Sequence, residues 1–276
     1  MITERTVRTA DGRAVSAFDS GPVDADALAV VWLGGSPQTG APLQPLLEAA
    51  APRRIRLLTY ARPSYGGSTP RPGRDVASAA EDIAAVADAF GVERFALAGY
   101  SGGGPHALAG AALLPDRVLG VATLAAVAPY TDEADWFAGM ASPGGLRAAR
   151  EGRESRARYA ETEQFDESSF VDTDWAALAG PWAAVGDDAN RGAAAGPDGL
   201  IDDDVAFTRD WKVDLGAIRA PVLLVQGGRD RVIPPAHAEL LLRRLPTAEL
   251  WLRPRDGHVA VLGACPVVLD WLLAVR

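Results

Sequence analysis

Arg94-Phe-Ala-Leu-Ala-Gly-Tyr-Ser-Gly-Gly-Gly-Pro-His-Ala-Leu-Ala109 decides how the rest of the chain is read. An apolar run, Phe95 to Ala98, breaks at Gly99-Tyr100-Ser101-Gly102-Gly103. An Ala/Leu segment of helical character then opens with Pro105, a residue a helix tolerates in its first turn because the missing N–H would be unpaired there anyway. The stretch therefore reads as strand, tight turn, helix. Ser101 falls at the apex, in a backbone conformation most residues avoid, and Gly99 and Gly103 let strand and helix approach closely enough to hold it. The hydroxyl is pushed outward, and the N-terminal N–H groups of the following helix favour negative charge at the same point.

Strand-like and helix-like segments alternate on both sides of this turn. Thr6 to Thr9 and Ala14 to Phe18, split by Asp11-Gly12, read as an antiparallel hairpin. Ala27 to Leu33 is an uninterrupted apolar run, as in a strand covered on both faces. Leu43 to Ala51 reads as a short helix, Ile55 to Tyr60 as a buried strand, Asp75 to Phe90 as a helix stopped by Gly91, and Val118 to Leu124 as another strand. After residue 212 come a strand in Ala220 to Asp230, a helix over Ala236 to Leu245, a strand over Ala248 to Leu252 and a final helix from Val259 to Val275. Such alternation implies an α/β fold, a mostly parallel central sheet with helices on both faces. Ligands bind such sheets at the carboxyl ends of the strands, where Ser36 and Ser101 both fall.

Between about Pro129 and Asp210 the strand pattern stops. The segment reads as helices over Glu133 to Met140, Leu146 to Glu163, Glu167 to Ala179 and Ile201 to Trp211, with Ser142 to Gly145 and Gly192 to Gly199 as joints. Its large apolar groups, among them Trp136, Phe137 and Trp182, argue for a folded helical lid rather than a disordered linker. The expected organisation is a core in two halves, 1–128 and 213–276, with a lid inserted at 129–212.

Composition narrows the function. The 276 residues are 48% apolar, enough for a large core, and no run approaches the roughly 20 residues that span a bilayer. The start lacks a secretory segment, so a soluble cytoplasmic protein, monomer or homodimer, is expected. A net charge of −9 argues against nucleic acid or anionic membranes as partners. Cys265, the single cysteine, excludes an intrachain disulfide and a cysteine-rich metal site and reads as a small buried residue. Lys212 is the only lysine, so a Schiff base would have to use it.

A serine hydroxyl becomes a competent nucleophile when a base takes its proton and a third group holds that base in one tautomer. Three histidines are available. His258 lies in a loop after the last strand and is the expected base. His237 follows Pro234-Pro235 and reads as a solvated or capping residue. His106, in the first turns of the helix after Ser101, sits where the helix dipole lowers basicity and reads as a satisfied helix residue. Asp230 leaves a buried strand through a glycine turn. Asp256, two residues from His258, is its competitor and too local to orient the imidazole easily.

The Gly-x-Ser-x-Gly turn, followed in order by Asp230 and His258, resembles the nucleophile elbow and triad of the α/β-hydrolase fold superfamily, on its esterase-like or proline-iminopeptidase-like branch. The likeness covers about residues 5–128 and 213–275. Gly227-Gly-Arg-Asp-Arg-Val-Ile-Pro234 matches the family's Gly-x-x-Asp-x-x-x-Pro pattern. Leu33-Gly-Gly-Ser-Pro37 occupies the place of its His-Gly-x-Pro segment, with Gly34 where the histidine is usual. Arg62-Pro-Ser-Tyr-Gly-Gly-Ser68 resembles its Asp-Arg-Pro-Gly-Tyr-Gly-x-Ser loop, with Ala61 replacing the aspartate.

The resemblance implies a cofactor-free, metal-free serine hydrolase with Ser101, Asp230 and His258 as triad. Its oxyanion donors would be the backbone N–H groups of Gly102 and of Ser36, or of Gly35 on a one-residue slip. Gly35, Tyr100, Trp136 and Phe137 are candidate substrate contacts, and the aromatic lid suggests an ester, thioester or lactone of small to medium size. Two other readings stay open. Lid acids (Glu161, Glu163, Asp166, Glu167, Asp202 to Asp204) could hold a free amine, as in an iminopeptidase, although they read more simply as a solvated face. The fold could also serve a non-hydrolytic binder, or a cofactor-free lyase or cyclase.

Overall fold

A computed structural model describes residues 2–21, 27–132 and 135–276. The hairpin forms as read: β1 (Thr3–Arg8) pairs antiparallel with β2 (Ala14–Asp19). The other strands among the described residues are β3 (Ala29–Leu33), β4 (Arg56–Tyr60), β5 (Phe95–Tyr100), β6 (Val118–Leu124), β7 (Val222–Gly227) and β8 (Ala248–Arg253). They make one sheet in the order β1-β2-β4-β3-β5-β6-β7-β8, parallel from β4 to β8.

The continuous apolar runs follow from burial on both faces. In β5, Phe95 and Leu97 enter one core while Ala96, Ala98 and Tyr100 enter the other. β3 divides the same way, Val31 and Leu33 against Val30 and Trp32. The first core is roofed by α2 (Ala79–Ala89), α3 (Gly103–Leu113) and α9 (Pro235–Arg244), the second by α1 (Gln44–Ala50) and α10 (Cys265–Ala274). Cys265 is buried in the second, as its setting implied. Among the described residues no helix is long and apolar enough to cross a membrane.

Among the described residues, five helices stand between β6 and β7: α4 (Gly144–Arg150), α5 (Arg153–Ala160), α6 (Asp172–Leu178), α7 (Ala183–Ala194) and α8 (Asp198–Phe207). They differ from the sequence reading at identifiable residues. The helix read over 146–163 is broken at Gly152, whose φ of 117° no helix accommodates. The one read over 167–179 begins as a 3-10 turn, Glu167–Ser169, capped by Asp166, and restarts as α6. α7 runs into the supposed joint at 192–199, where Gly192 lies so close to the Pro37 carbonyl that a Cβ would fall 1.6 Å from its oxygen. Of the helix read over 133–140, the first two residues lie outside the described residues, and 135–139 form turns. In the core, α2 starts at Ala79 rather than Asp75, because the Asp75 carboxylate accepts the Ser78 N–H in a preceding turn. The last helix opens as a 3-10 turn at Ala260–Ala264 before α10.

Candidate active site

β5 ends at Tyr100, and the chain reverses into α3 within three residues. Ser101 takes a φ of 51°, in the left-handed region that non-glycine residues seldom occupy. The turn is held because its N–H donates to the Leu124 carbonyl (2.8 Å) and its own carbonyl accepts from Gly104 N–H (3.0 Å). A Cβ on Gly103 would fall 2.0 Å from the Leu33 carbonyl oxygen, and one on Gly99 would fall 2.5 Å from the carbonyl oxygen of Gly103. Glycine at both positions is therefore a packing requirement.

Asp230 leaves β7 three residues after Gly227, and His258 lies in the loop after β8. The imidazole joins the two distant groups, with Nε2 3.0 Å from Ser101 Oγ and Nδ1 2.8 Å from Asp230 Oδ2. Asp230 Oδ1 accepts the N–H groups of Val232 (2.9 Å) and Ile233 (2.8 Å), which fixes the carboxylate before any substrate arrives. Gln226 Nε2 adds a contact of 3.3 Å to Oδ2. Asp256 instead pairs with Arg253, as befits a loop residue. The Tyr100 ring stacks near the imidazole, centroids 5.3 Å apart.

The loop after β3 packs onto the elbow: a Cβ on Gly35 would lie 3.3 Å from Ser101 Cβ, and one on Gly102 2.4 Å from Ser36 Oγ. The Gly35 N–H is already used, donating to Gln38 Oε1 at 2.6 Å. Phe207, at the end of α8, covers Gly102, its ring 3.1 Å from where a Cβ would stand. Trp136 is buried, its indole N–H bonded to the Ala128 carbonyl (3.1 Å), with Phe137 packed edge-on against it. Both belong to a cluster around Tyr130 and His237.

His237 corrects the sequence reading. It is buried rather than solvated: Nδ1 accepts the Ala128 N–H (3.1 Å) and Nε2 donates to the Trp136 carbonyl (3.0 Å). Burial pushes its pKa down to about 4. Burial does the same for His106, also to about 4, against the opposing pull of Asp203.

The acids at 202–204 are a second correction, since they form no solvated face. Asp202 pairs with Arg153, Asp203 with Arg62 and Arg74, and Asp204 with Arg156. Burial disfavours the Asp203 anion, yet Arg62 and Arg74 outweigh it and hold the carboxyl well below its usual range. For Asp204 burial wins over Arg156, and its pKa rises to about 7. Gln38, which holds the Gly35 N–H, and Arg62, which pairs with Asp203, stand in the two loops that carry the family resemblance, but their sequence context does not reveal these contacts.

A model of the alpha/beta hydrolase fold matches residues 29–264, most of the chain. This protein belongs to the α/β-hydrolase fold family. It is 33% identical over 190 residues, 68% of this chain and 70% of the other, to a pimeloyl-[acyl-carrier protein] methyl ester esterase of Neisseria meningitidis serogroup B. Solved structures with the same fold include a bromoperoxidase from Bacillus anthracis (TM-score 0.75, 21% identity, 99% of both chains). An esterase from Rhodococcus sp. ECU1013 is another (TM-score 0.73, 20% identity, 99% of both chains). A shared fold does not fix the reaction, so the chemistry of this α/β hydrolase rests on the site.

Proposed function

We propose that this α/β hydrolase cleaves a carboxylic ester through an acyl-enzyme on Ser101. The observation that carries the reading is the unbroken chain of hydrogen bonds from Ser101 Oγ through His258 to Asp230. His258 Nε2 takes the hydroxyl proton as Oγ attacks the carbonyl carbon, and Asp230 holds Nδ1–H and stabilises the imidazolium. The carbonyl oxygen becomes an oxyanion beside the start of α3. Gly102 N–H is one donor, and with the Gly35 N–H committed to Gln38, Ser36 N–H is the second. The imidazolium returns its proton to the departing alcohol. A water then gives a proton to His258 and attacks the acyl carbon; as the acyl–Oγ bond breaks, the imidazolium returns that proton to Ser101 Oγ and the acid leaves.

The named Neisseria relative supports the ester over other bonds, and thioesters and lactones fall within the same chemistry. The helices at 129–212 act as a lid, with Phe207 over Gly102 favouring a compact acyl part. An amine-binding role for lid acids loses ground because Asp202 to Asp204 and Glu163 are already paired with arginines.

The test uses p-nitrophenyl esters beside amino-acid p-nitroanilides, together with fluorophosphonate labelling. Ester turnover and labelling, both lost in Ser101→Ala, are expected. Turnover of the anilides would favour a peptidase, and a folded but unlabelled protein would mean a binder.

A further inference from the structure

Asp203 is fully buried on α8, and its carboxylate gathers five polar side chains. Oδ2 accepts from Ser36 Oγ (2.5 Å), Arg62 Nη2 (2.7 Å) and Tyr65 OH (3.0 Å). Oδ1 faces Arg74 Nη1 (2.6 Å) and His106 Nε2 (3.4 Å). Arg62 goes on to grip the loop that Asp203 touches. Its Nη1 donates to the Gly34 carbonyl (2.5 Å), and Nη2 donates to the Gly35 carbonyl (3.2 Å) and to Ser36 Oγ (2.9 Å). Two carbonyls and one hydroxyl in three consecutive residues are thus tied to a single buried ion pair.

We propose that Asp203 is a positioning residue, through which the helical insertion sets the Gly34–Ser36 backbone so that the Ser36 N–H faces the forming oxyanion. The inference rests on the ester-hydrolase reading above. Stability alone does not explain the cluster, because a buried ion pair is commonly replaceable by apolar groups at little cost. What apolar groups could not do is hold polar atoms of three successive residues at once. Charge points the same way: two guanidiniums face one carboxylate, and His106 is neutral. The surplus is positive and reaches the side chain of Ser36, the residue whose N–H would face the developing negative charge. Asp203 acts without touching substrate, by fixing the donor in place before reaction. A displacement of about 1 Å there is enough to cost about 100-fold in rate.

The experiment compares wild type, Asp203→Asn, Ser36→Ala and Asp188→Asn. Asp188 also ties the insertion to the core, through Thr39 N–H (3.0 Å) and Oγ1 (2.6 Å), but outside residues 34–36. Each is assayed for kcat and KM on a p-nitrophenyl ester. Each is also titrated with an alkyl trifluoromethyl ketone, which adds to serine as a tetrahedral oxyanion, and with the matching methyl ketone, which binds as a ground-state carbonyl. Asp203→Asn and Ser36→Ala should each lower kcat about 10- to 100-fold and weaken the trifluoromethyl ketone by a similar factor, with KM and methyl-ketone binding within about threefold. Asp188→Asn should lower the melting temperature without separating the two ketones.

Equal weakening of both ketones, a rise in KM alone, or wild-type behaviour of Ser36→Ala would each overturn the inference. If Asp203→Asn does not fold, Ser36→Ala decides by itself, since it deletes one hydroxyl and leaves both ion pairs. A wild-type protein that neither turns over esters nor reacts with fluorophosphonate would sink the ester reading instead.

Discussion

The carboxylate of Asp174 accepts the backbone N–H of Val259 at 2.7 Å, so a buried group on α6 holds the residue that follows His258. The same oxygen takes the Ala260 N–H at 2.9 Å, and the other takes the Val171 N–H at 3.1 Å. One side chain thus satisfies three backbone donors where the loop after β8 meets the insertion. Asp174→Ala orphans them, at about 1–3 kcal/mol for each one that water cannot reach. A melting temperature several degrees lower is expected, together with a fall in kcat as the imidazole loses its fixed approach to Ser101. Unchanged melting and kcat would show that the loop holds its own shape.

Asp230→Asn keeps an oxygen for the Val232 and Ile233 N–H groups but presents an amide N–H to His258 Nδ1. The imidazole must then turn its lone pair toward residue 230 and its proton toward Ser101, the wrong tautomer for a base. Ester turnover should fall about 10,000-fold, the scale of the same change in a serine protease triad, with the fold intact by circular dichroism. A loss below tenfold would mean that Asp230 is not the orienting acid.

Gly103→Ala places a methyl 2.0 Å from the Leu33 carbonyl oxygen and 2.6 Å from that of Gly34. Backbone on both sides has nowhere to move, so a loss above about 4 kcal/mol is expected, read by urea denaturation or by failure to express as soluble protein. Gly91→Ala is the useful contrast. Its φ of 66° strains an alanine, but a Cβ meets nothing within 4 Å, so about 1 kcal/mol is expected.

His237 makes stability depend on pH. Its Nδ1 must stay unprotonated to accept the Ala128 N–H, and burial lowers its pKa from the ordinary 6.5 to about 4. Between those values the unfolded chain binds the proton and the folded chain does not, so the contribution is complete above about pH 6.5 and is lost as pH falls toward 4. Asp204, raised to about 7 by burial, has the opposite sign: its contribution fades as pH rises through 7. Comparing wild type with His237→Gln isolates the histidine. Denaturation at pH 7 and pH 5 should give a smaller loss on acidification in the variant, and equal losses would show that His237 is charged or solvated in the fold.

The core was readable because its signals are local. Continuous apolar runs over 29–33, 95–98 and 222–225 can be buried only on both faces, and their alternation with helical spacing leaves few architectures. The elbow is a short-range device too, since Gly99, Ser101 and Gly103 sit within five residues. The insertion was harder to read. Gly152 and Gly192 look alike in sequence, yet one ends a helix and the other lies inside one, where the Pro37 carbonyl presses on it.

By itself the sequence determined the sheet-and-helix class and the strand, turn and helix around Ser101, because strand burial and turn chemistry act on neighbours a few residues apart. Only the tertiary structure decided the fate of the polar side chains. Asp203 meets Arg62 across 141 positions, and Asp174 meets Val259 across 85. Whether a carboxylate faces water or a guanidinium depends on which distant segment folds against it, and no local pattern of residues encodes that choice.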